Sequence, residues 1–195
     1  MNVPNKITTC RIILSIFLLI LLMFPLNRLG IVFPEIETKN VIMDSKYLIC
    51  GLLFLIASVT DFLDGFLARK YNLVTDFGKV LDAIADKLLV NGVLVILATE
   101  GALPVIIPVV IVSRDIIVDS IKMVAGQKNG AVAASNTGKV KTAFMLVGII
   151  LLLFYDFPFS LINIYPSKVI IMIATVLSVI SGIEYYVKNK KYLSK

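Results

Sequence analysis

The sequence predicts an all-α integral membrane bundle of six transmembrane helices. Hydrophobic residues make up 58% of its 195 residues and charged residues only 16%, and the mean hydropathy is +0.95. A soluble domain does not have this composition. The apolar residues also fall into six runs, each of which fits a helix that crosses a bilayer. The predicted helices 1 to 6 lie at about residues 7–28, 46–68, 77–99, 103–125, 138–156 and 166–187.

Nothing in the sequence divides it into separate parts. It has no long linker, low-complexity tract or internal repeat, and its length suits one domain. We therefore expect a single membrane-embedded domain over residues 1–195. The segment Gly30–Lys46, between predicted helices 1 and 2, has the polar composition of an external loop or surface segment.

Four aspartates lie inside predicted helices 2 and 3. The uncharged runs Tyr47–Thr60 and Leu88–Thr99 have only 14 and 12 residues, whereas a helix needs roughly 20 residues to cross a bilayer core. Each helix must therefore continue through its carboxylates, which fall at the end of helix 2 and in the first turns of helix 3. All four then lie near the same membrane interface. They are Asp61, Asp64, Asp82 and Asp86.

The basic residues predict which side of the membrane this is. Of the 19 Lys and Arg residues, 15 fall on the face that carries the aspartates and four on the other. By the positive-inside rule, both termini and the aspartate cluster are cytoplasmic. We expect a multi-pass protein of the cell membrane whose net charge of +6 faces anionic membrane lipid, so no nucleic-acid partner is needed. The four residues on the outer face are Arg28, Lys39, Lys46 and Lys168.

The spacing of the aspartates suits a metal site. Asp61 and Asp64 are three residues apart and Asp82 and Asp86 four apart, so each pair projects from one face of its helix. Charged side chains in membrane helices are costly and usually mark a functional site. Carboxylates without any histidine favour a hard divalent cation, Mg²⁺ or Mn²⁺, which keeps coordination positions for substrate phosphates. The pattern therefore predicts a phosphate-bearing substrate.

Two other interpretations of the cluster stay open at this point. The carboxylates could be interfacial charges that close a short cytoplasmic loop, an explanation that suits one or two aspartates better than four. They could also belong to an ion or proton transporter that uses buried acids, although transporter sites usually lie near the bilayer midplane. A Cys/His zinc site is excluded because the chain has no histidine and only two cysteines, Cys10 and Cys50.

The aspartates also complete a recognisable pattern. The chain reads Asp61-x-x-Asp64-Gly65-x-x-Ala68-Arg69 and, after eight further residues, Gly78-x-x-x-Asp82-x-x-x-Asp86. This pattern resembles the signature of the CDP-alcohol phosphatidyltransferases, and the chain length and six predicted helices agree with that family. Three looser matches resemble the bacterial members that use glycerol 3-phosphate as acceptor. They are Asn5-x-x-Thr8-x-x-Arg11, Ser113-Arg114-Asp115 and the segment Ala134–Thr142.

The resemblance implies an enzyme that transfers the phosphatidyl group of CDP-diacylglycerol to the hydroxyl of sn-glycerol 3-phosphate and releases CMP. It implies that the four aspartates hold one or two divalent cations, Mg²⁺ or Mn²⁺, against the diphosphate. Asp86 is also the candidate general base for the acceptor hydroxyl. The resemblance further implies a homodimer. The residues expected to bind CDP-diacylglycerol are Asn5, Thr8, Asp61, Gly65, Ala68, Arg69 and Gly78.

Basic residues near the cytoplasmic face are the candidates for binding the acceptor phosphate. Arg114 directly follows the apolar run Leu103–Ser113, and Lys139 and Lys141 begin predicted helix 5, so all three can reach one phosphate. Ordinary positive-inside anchoring is the alternative role for each of them. The residues expected to bind glycerol 3-phosphate are Arg11, Arg114, Lys139 and Lys141.

Three alternative functions accompany this interpretation. A sibling transferase would use another acceptor, such as serine, an inositol phosphate or phosphatidylglycerol. A divalent-cation transporter would move metal without consuming CDP-diacylglycerol. An Asp-rich prenyltransferase fits the metal chemistry but not the spacing of the signature.

Overall fold

The computed structural model describes residues 3–26, 30, 33–38, 41–71, 75–129 and 135–193. Within these residues the chain forms six long helices, a two-stranded hairpin and one 3₁₀ turn, Phe159–Ile162. The strands of the hairpin are β1 (Glu35–Thr38) and β2 (Val41–Asp44). The helices are α1 (Val3–Met23), α2 (Ser45–Lys70), α3 (Asp76–Thr99), α4 (Ile106–Asn129), α5 (Asn136–Leu153) and α6 (Pro166–Leu193).

The helices follow the six apolar runs, and their bounds lie within a few residues of the predicted ones. The shortest, α5, has 18 residues and the longest, α6, has 28. At about 1.5 Å per residue these helices are roughly 27 to 42 Å long, which matches a hydrocarbon core of about 30 Å. The prediction of an all-α membrane bundle is therefore confirmed at the level of its helices.

The segment before α2 differs from the expected loop because it contains the hairpin. β1 and β2 pair antiparallel, with Glu35 opposite Asp44 and Thr38 opposite Val41. Strands of four residues offer too little alternation of polar and apolar side chains to be predicted from sequence. The hairpin is a small β addition to a bundle that is otherwise helical.

The helices pack as two groups of three. α1 packs against both α2 and α3, and α6 packs against both α4 and α5. The groups meet where α2 contacts α5 and where α3 contacts α4 and α5. Between α5 and α6 the backbones approach closely at Gly148, where an added Cβ would come within 2.5 Å of the Ile171 side chain. Small residues allow such approaches between membrane helices.

The apolar core and most of the buried polar side chains occupy opposite halves of the bundle. We call the end that carries Asp61 and Asp82 the aspartate end, and the other end the hairpin end. The buried apolar cluster fills the half toward the hairpin end and draws on all six helices. It includes Leu18, Leu22, Phe54, Leu94, Leu97, Ile111, Met145, Ile149 and Ile171. Buried polar side chains toward the aspartate end include Thr8, Arg11, Ser15, Lys141, Ser181 and Asn189.

The outer surface of the bundle is apolar, as a lipid-facing surface must be. Large apolar side chains such as Ile13, Phe17, Ile116 and Val176 are exposed on it. By length and composition, four of the described helices qualify as membrane spans, namely α1, α2, α5 and α6, and only 22–28% of the residues in their apolar windows are buried. α3 and α4 fall short of this criterion because their charged residues lie within the helices themselves.

Two helices begin at the aspartate end with the same capping arrangement. The Gly78 amide donates to Thr75 Oγ1 at 3.0 Å before α3, and the Gly138 amide donates to Ser135 Oγ at 3.1 Å before α5. Side-chain oxygens at these positions satisfy amides that a helix N-terminus leaves free. Both helices therefore present their positive dipole ends toward the polar half of the bundle, which favours anions there.

Candidate active site

Arg11 joins the three helices of the first group at the aspartate end. Its guanidinium forms ion pairs with Asp61 on α2 and Asp82 on α3, and the residue is only 2% exposed. A buried guanidinium requires such partners because an unpaired charge is costly away from water. The structure therefore brings Asp61 and Asp82 to one positive charge, the Arg11 guanidinium.

Several predicted site residues lie outside the described side chains. These are Asn5, Asp64, Ala68 and Arg69. Among the side chains that are described, no group of three His, Cys, Asp or Glu residues is arranged to ligate one metal ion, and Asp64 does not belong to that set. Of the four aspartates predicted to ligate metal, the structure thus describes the side chains of three, Asp61, Asp82 and Asp86.

The remaining residues predicted to bind the donor surround the Arg11 ion pairs. Thr8 lies one turn before Arg11 on α1 and is buried. Gly65 lies one turn after Asp61 on α2, and Gly78 lies one turn before Asp82 on α3. The two glycines therefore border the aspartates on both helices, where the backbone can be approached without a side chain in the way.

Asp86 lies between the aspartate cluster and a second polar region. It follows Asp82 by one turn of α3. Asp86 also lines a cavity of about 200 Å³ between α3, α4, α5 and α6, which we call the basic cavity. The lining is completed by Lys87, Arg114, Asp115, Asp119, Lys122, Gly138, Lys139, Lys141, Thr142 and Tyr185.

The charge of the basic cavity favours an anionic ligand. Five of its lining residues are basic and three are acidic, which leaves an excess of positive charge. One acid is neutralised locally, because Lys87 forms an ion pair with Asp119. The N-terminus of α5 adds its dipole, since Gly138 and Lys139 from its first turn line the same cavity.

Asp115 holds the two predicted phosphate ligands on α4 and α5 together. Its Oδ1 accepts from Arg114 NH1 at 3.0 Å and from Lys141 Nζ at 3.1 Å. The side chains of Arg114 and Lys141 are 14% and 9% exposed, so both are nearly buried yet line the cavity. Shared hydrogen bonds of this kind fix the direction of a cation while leaving its other N–H groups for a ligand.

The structure separates Arg11 from the other residues predicted to bind the acceptor. Arg114, Lys139 and Lys141 line one cavity, whereas the Arg11 guanidinium lies in the aspartate cluster. Two residues of α6 at this site are not predicted from the sequence. Ser181 Oγ accepts from Arg114 NH2 at 2.6 Å, and Tyr185 lines the basic cavity. A signal was present, because Ser178, Ser181 and Tyr185 recur at helical spacing.

The arrangement places two complementary environments side by side. Carboxylates from α2 and α3 form one of them, and cationic side chains from α4 and α5 form the other, with Asp86 between the two. Carboxylates that share a positive charge suit a cation-bound diphosphate, and a cavity rich in lysine and arginine suits a free phosphate. Group transfer between two phosphate-bearing molecules fits this geometry.

Comparison with known proteins decides the family. The model of the CDP-alcohol phosphatidyltransferase family matches residues 1–180. The chain belongs to the CDP-alcohol phosphatidyltransferase family. The resemblance carried by the eight signature residues is thereby confirmed, and with it the prediction that the protein is a transferase enzyme.

Relatives of similar length exist within this family. A protein of Bacillus subtilis is 37% identical over 188 residues, which cover 96% of this chain and 95% of the relative. One from Rickettsia felis is 33% identical over 192 residues, which cover 98% of this chain and 97% of the relative. Both are named CDP-diacylglycerol–glycerol-3-phosphate 3-phosphatidyltransferase.

Solved structures of a phosphatidylinositol phosphate synthase share the fold. The apo structure of the phosphatidylinositol phosphate synthase of Mycobacterium tuberculosis superposes with a TM-score of 0.64 at 20% identity, and the match covers 100% of this chain and 94% of that one. A second structure of that synthase, with CDP-DAG bound, gives 0.61 at 21% identity over 94% and 84% of the two chains. At this identity the likeness establishes a common fold.

Proposed function

We propose that this CDP-alcohol phosphatidyltransferase transfers the phosphatidyl group of CDP-diacylglycerol to sn-glycerol 3-phosphate, giving phosphatidylglycerophosphate and CMP in phospholipid synthesis. The names of the Bacillus and Rickettsia relatives support both substrates. The observation in this chain that carries the proposal is the position of Asp86, one turn from Asp82 and in the wall of the basic cavity. A reacting hydroxyl beside Asp86 can therefore belong to a molecule whose phosphate is held in that cavity.

The donor diphosphate is proposed to lie at the aspartate cluster. Asp61 and Asp82 meet at a single positive group, the Arg11 guanidinium, which supports a site in which carboxylates from α2 and α3 share one cation. Their oxygen donors fit Mg²⁺ or Mn²⁺, with Asp64 and Asp86 as the other proposed ligands. A bound divalent cation would supply charge neutralisation for the diphosphate and for the departing CMP. Arg11 is proposed to contribute a second countercharge from α1.

The remaining predicted donor ligands surround this cluster. The small residues Gly65, Ala68 and Gly78 are proposed to give the cytidine diphosphate room beside the helices, with Arg69 as its countercharge. Asn5 and Thr8 are proposed to contact it from α1, since Thr8 lies one turn from Arg11. Thr8 is buried toward the aspartate end, which agrees with a role in that pocket.

The acceptor is proposed to bind through its phosphate in the basic cavity. Arg114, Lys139 and Lys141 would hold the phosphate, and Arg11 would stay with the aspartates, where its ion pairs place it. In the reaction the acceptor hydroxyl oxygen bonds to the phosphorus that carries diacylglycerol. The bond from that phosphorus to the bridging oxygen breaks, and CMP leaves with the bonding electrons. Asp86 takes the hydroxyl proton as general base.

This chemistry requires an active site at the depth of the lipid headgroups. We propose that all six helices span the cell membrane and that the aspartate end and both termini are cytoplasmic, in agreement with the positive-inside rule. A site at this interface can take an insoluble donor from the bilayer and a soluble acceptor from the cytoplasm. We further propose that the protein works as a homodimer, as the family resemblance implies.

The direct test is CMP release by the purified protein in detergent. Reactions would contain CDP-diacylglycerol and Mg²⁺ or Mn²⁺, with glycerol 3-phosphate, serine, inositol phosphate or phosphatidylglycerol added separately. We expect release that depends on metal and on glycerol 3-phosphate. Release with a different acceptor would keep the reaction class and replace the acceptor. If folded protein showed no metal-dependent CMP release with any of the four acceptors, the proposal would be overturned.

A further inference from the structure

One face of α6 carries a line of residues that lie against the Arg114 side chain. Ser178, Ser181, Gly182 and Tyr185 lie at positions i, i+3, i+4 and i+7, so they form one line along the helix. We call these four residues the α6 seat. Three of them lie beyond residue 180, where the match to the family model ends. We propose that the α6 seat positions Arg114 and thereby sets the affinity for the acceptor phosphate; this inference rests on the proposed function.

The α6 seat fixes the Arg114 guanidinium from one side. Arg114 Nε donates to the Ser178 carbonyl oxygen at 3.1 Å, and NH2 donates to Ser181 Oγ at 2.6 Å. The Ser181 hydroxyl itself donates to the Ser178 carbonyl at 3.0 Å. Its proton is therefore committed to the helix backbone, and its lone pairs face the guanidinium.

The third contact comes from α4 itself and completes the orientation. Asp115 accepts from Arg114 NH1 at 3.0 Å, so each nitrogen of the guanidinium has one partner. An arginine has five N–H groups in a rigid planar fork. Within the described residues, these three bonds leave two N–H groups for a ligand in the basic cavity. Loss of any one contact would let the fork rotate away from the direction the phosphate requires.

Gly182 provides the space in which the Arg114 stem lies. A Cβ at this position would come within 3.2 Å of Arg114 Cγ and 3.8 Å of Nε. A side chain here would therefore push the arginine stem outward from α6. The requirement is specific to this contact, because a Cβ at Gly126 on α4 would meet nothing within 4 Å.

Tyr185 connects the α6 seat to the start of α5. Its hydroxyl accepts from the Ser135 amide at 2.9 Å, and its ring lies 5.9 Å from Arg114 Cζ and 5.3 Å from Lys122 Nζ. Ser135 is the N-cap of the helix that supplies Lys139 and Lys141. The α6 seat thus relates the arginine on α4 to the lysines on α5 within one cavity.

The consequence is a pair of positioning residues, Ser181 and Gly182, that act on the acceptor through Arg114. Neither is expected to contact CDP-diacylglycerol, whose proposed ligands lie on α1, α2 and α3. Their substitution should therefore change the KM for glycerol 3-phosphate and leave the KM for the donor unchanged. A residue needed only for folding would instead reduce the amount of active enzyme with both KM values kept.

The test is a steady-state comparison of purified variants with both substrates varied. Ser181→Ala removes one hydrogen bond to a charged group, and we expect the KM for glycerol 3-phosphate to rise about tenfold. Ser181→Thr keeps the hydroxyl and should stay within about twofold of the unmodified protein. Gly182→Val should raise the same KM by about tenfold through displacement of the arginine stem. Should Gly182→Val fail to fold, Gly182→Ala gives the same direction of change with a smaller added volume.

Two matched controls separate positioning from general damage to the helices. Thr175→Ala also removes a hydroxyl from α6. The Thr175 hydroxyl donates to the Ile171 backbone oxygen of the same helix at 2.8 Å. Gly126→Val adds the same side chain to the helix of Arg114, in open space. Both should keep the acceptor KM within about twofold.

The outcomes distinguish this inference from the proposed function. An unchanged acceptor KM in both Ser181→Ala and Gly182→Val, with a normal rate for the unmodified protein, would overturn the α6 seat alone. Equal changes in the KM values of donor and acceptor would also overturn it. An unmodified protein that does not use glycerol 3-phosphate would overturn the proposed function, and the α6 seat with it.

Discussion

The charged residues of the proposed site occur in two groups, and each group has a distinct composition. Arg11 is shared by two aspartates in the aspartate cluster, whereas Asp115 is shared by an arginine and a lysine in the basic cavity. The first group leaves negative charge in excess and the second leaves positive charge in excess. The two oppositely charged environments meet at Asp86, which fits the proposed binding of a cation on one side of this residue and a phosphate on the other.

The role of Asp86 as the base predicts a strong effect of a conservative substitution. Asp86→Asn keeps the shape of the side chain and removes its ability to take a proton, so kcat should fall by about 10² to 10⁴-fold. Donor binding should remain detectable, because the other aspartates are retained. Lys188→Ala, at an exposed position on α6, is the control for effects of purifying a substituted protein, and its kcat should be unchanged. Turnover like that of the unmodified protein would remove Asp86 from the mechanism.

The ion pairs of Arg11 predict a link between stability and metal. Arg11→Ala leaves Asp61 and Asp82 without their shared cation, and because their side chains are 40% and 50% exposed, solvent screens only part of their repulsion. The melting temperature in a chelator should fall well below that of the unmodified protein, and Mg²⁺ should restore most of the loss. A melting temperature insensitive to Mg²⁺ in this variant would contradict a cation site at the two aspartates.

At the scale of elements, the close packing of α5 against α6 fixes the relative position of two helices that line the basic cavity. Gly148→Val would force a side chain against Ile171, where an added Cβ already comes within 2.5 Å. Overpacking of this kind costs about 1–3 kcal/mol, so the melting temperature in detergent should fall. Gly126→Val, in open space on α4, should leave it nearly unchanged. Equal melting temperatures for the two variants would show that α5 and α6 do not pack as described.

The six helices could be predicted because each coincides with one apolar run. The aspartate pairs could also be predicted, since their spacing puts them on helix faces near one interface, and Arg11 does bring Asp61 and Asp82 together. The ion pairs of Arg11 with these aspartates could not be predicted, because they form only when α1 packs against both α2 and α3. The hairpin could not be predicted because its strands of four residues are too short to show an alternating pattern. The α6 seat could not be predicted because its residues lie in a mostly apolar helix.

The charged residues within α3 and α4 explain why these helices are harder to recognise as spans. Their charges lie where the helices face the proposed site, so composition alone does not mark α3 and α4 as membrane spans although each has 24 residues. Asp82 and Asp86 on α3 and Arg114 and Asp115 on α4 all lie at or near the polar half of the bundle. The same residues that weaken the hydropathy signal are those proposed to act in catalysis.

At the scale of the whole molecule, the proposed orientation can be tested with cysteine labelling in intact cells. Cys10 is exposed near the aspartate end, and Cys50 is buried. A membrane-impermeant maleimide should label Cys10 only after the cells are permeabilised. In a Cys10→Ser background, Glu37→Cys on the exposed face of β1 should be labelled without permeabilisation. The reverse pattern would place the aspartate end outside the cytoplasm.

The whole bundle combines a half filled by the apolar cluster with a half that holds most of the buried polar side chains and the proposed site. Under the proposed function, the donor keeps its acyl chains in lipid and its diphosphate lies at the aspartates. The acceptor is then proposed to approach from water through the basic cavity. Neither environment alone would bring the two substrates together, so both are needed to join one substrate to the other.

The most direct test of that claim follows the acceptor into the lipid product. Purified protein would be incubated with CDP-diacylglycerol, Mg²⁺ and radiolabelled glycerol 3-phosphate, and the label in the organic phase would be compared with the CMP released. We predict one labelled lipid molecule for each CMP, with both signals lost when the metal is chelated. CMP release without label in the lipid would contradict transfer to glycerol 3-phosphate, and the absence of both signals from folded protein would contradict the account of the site.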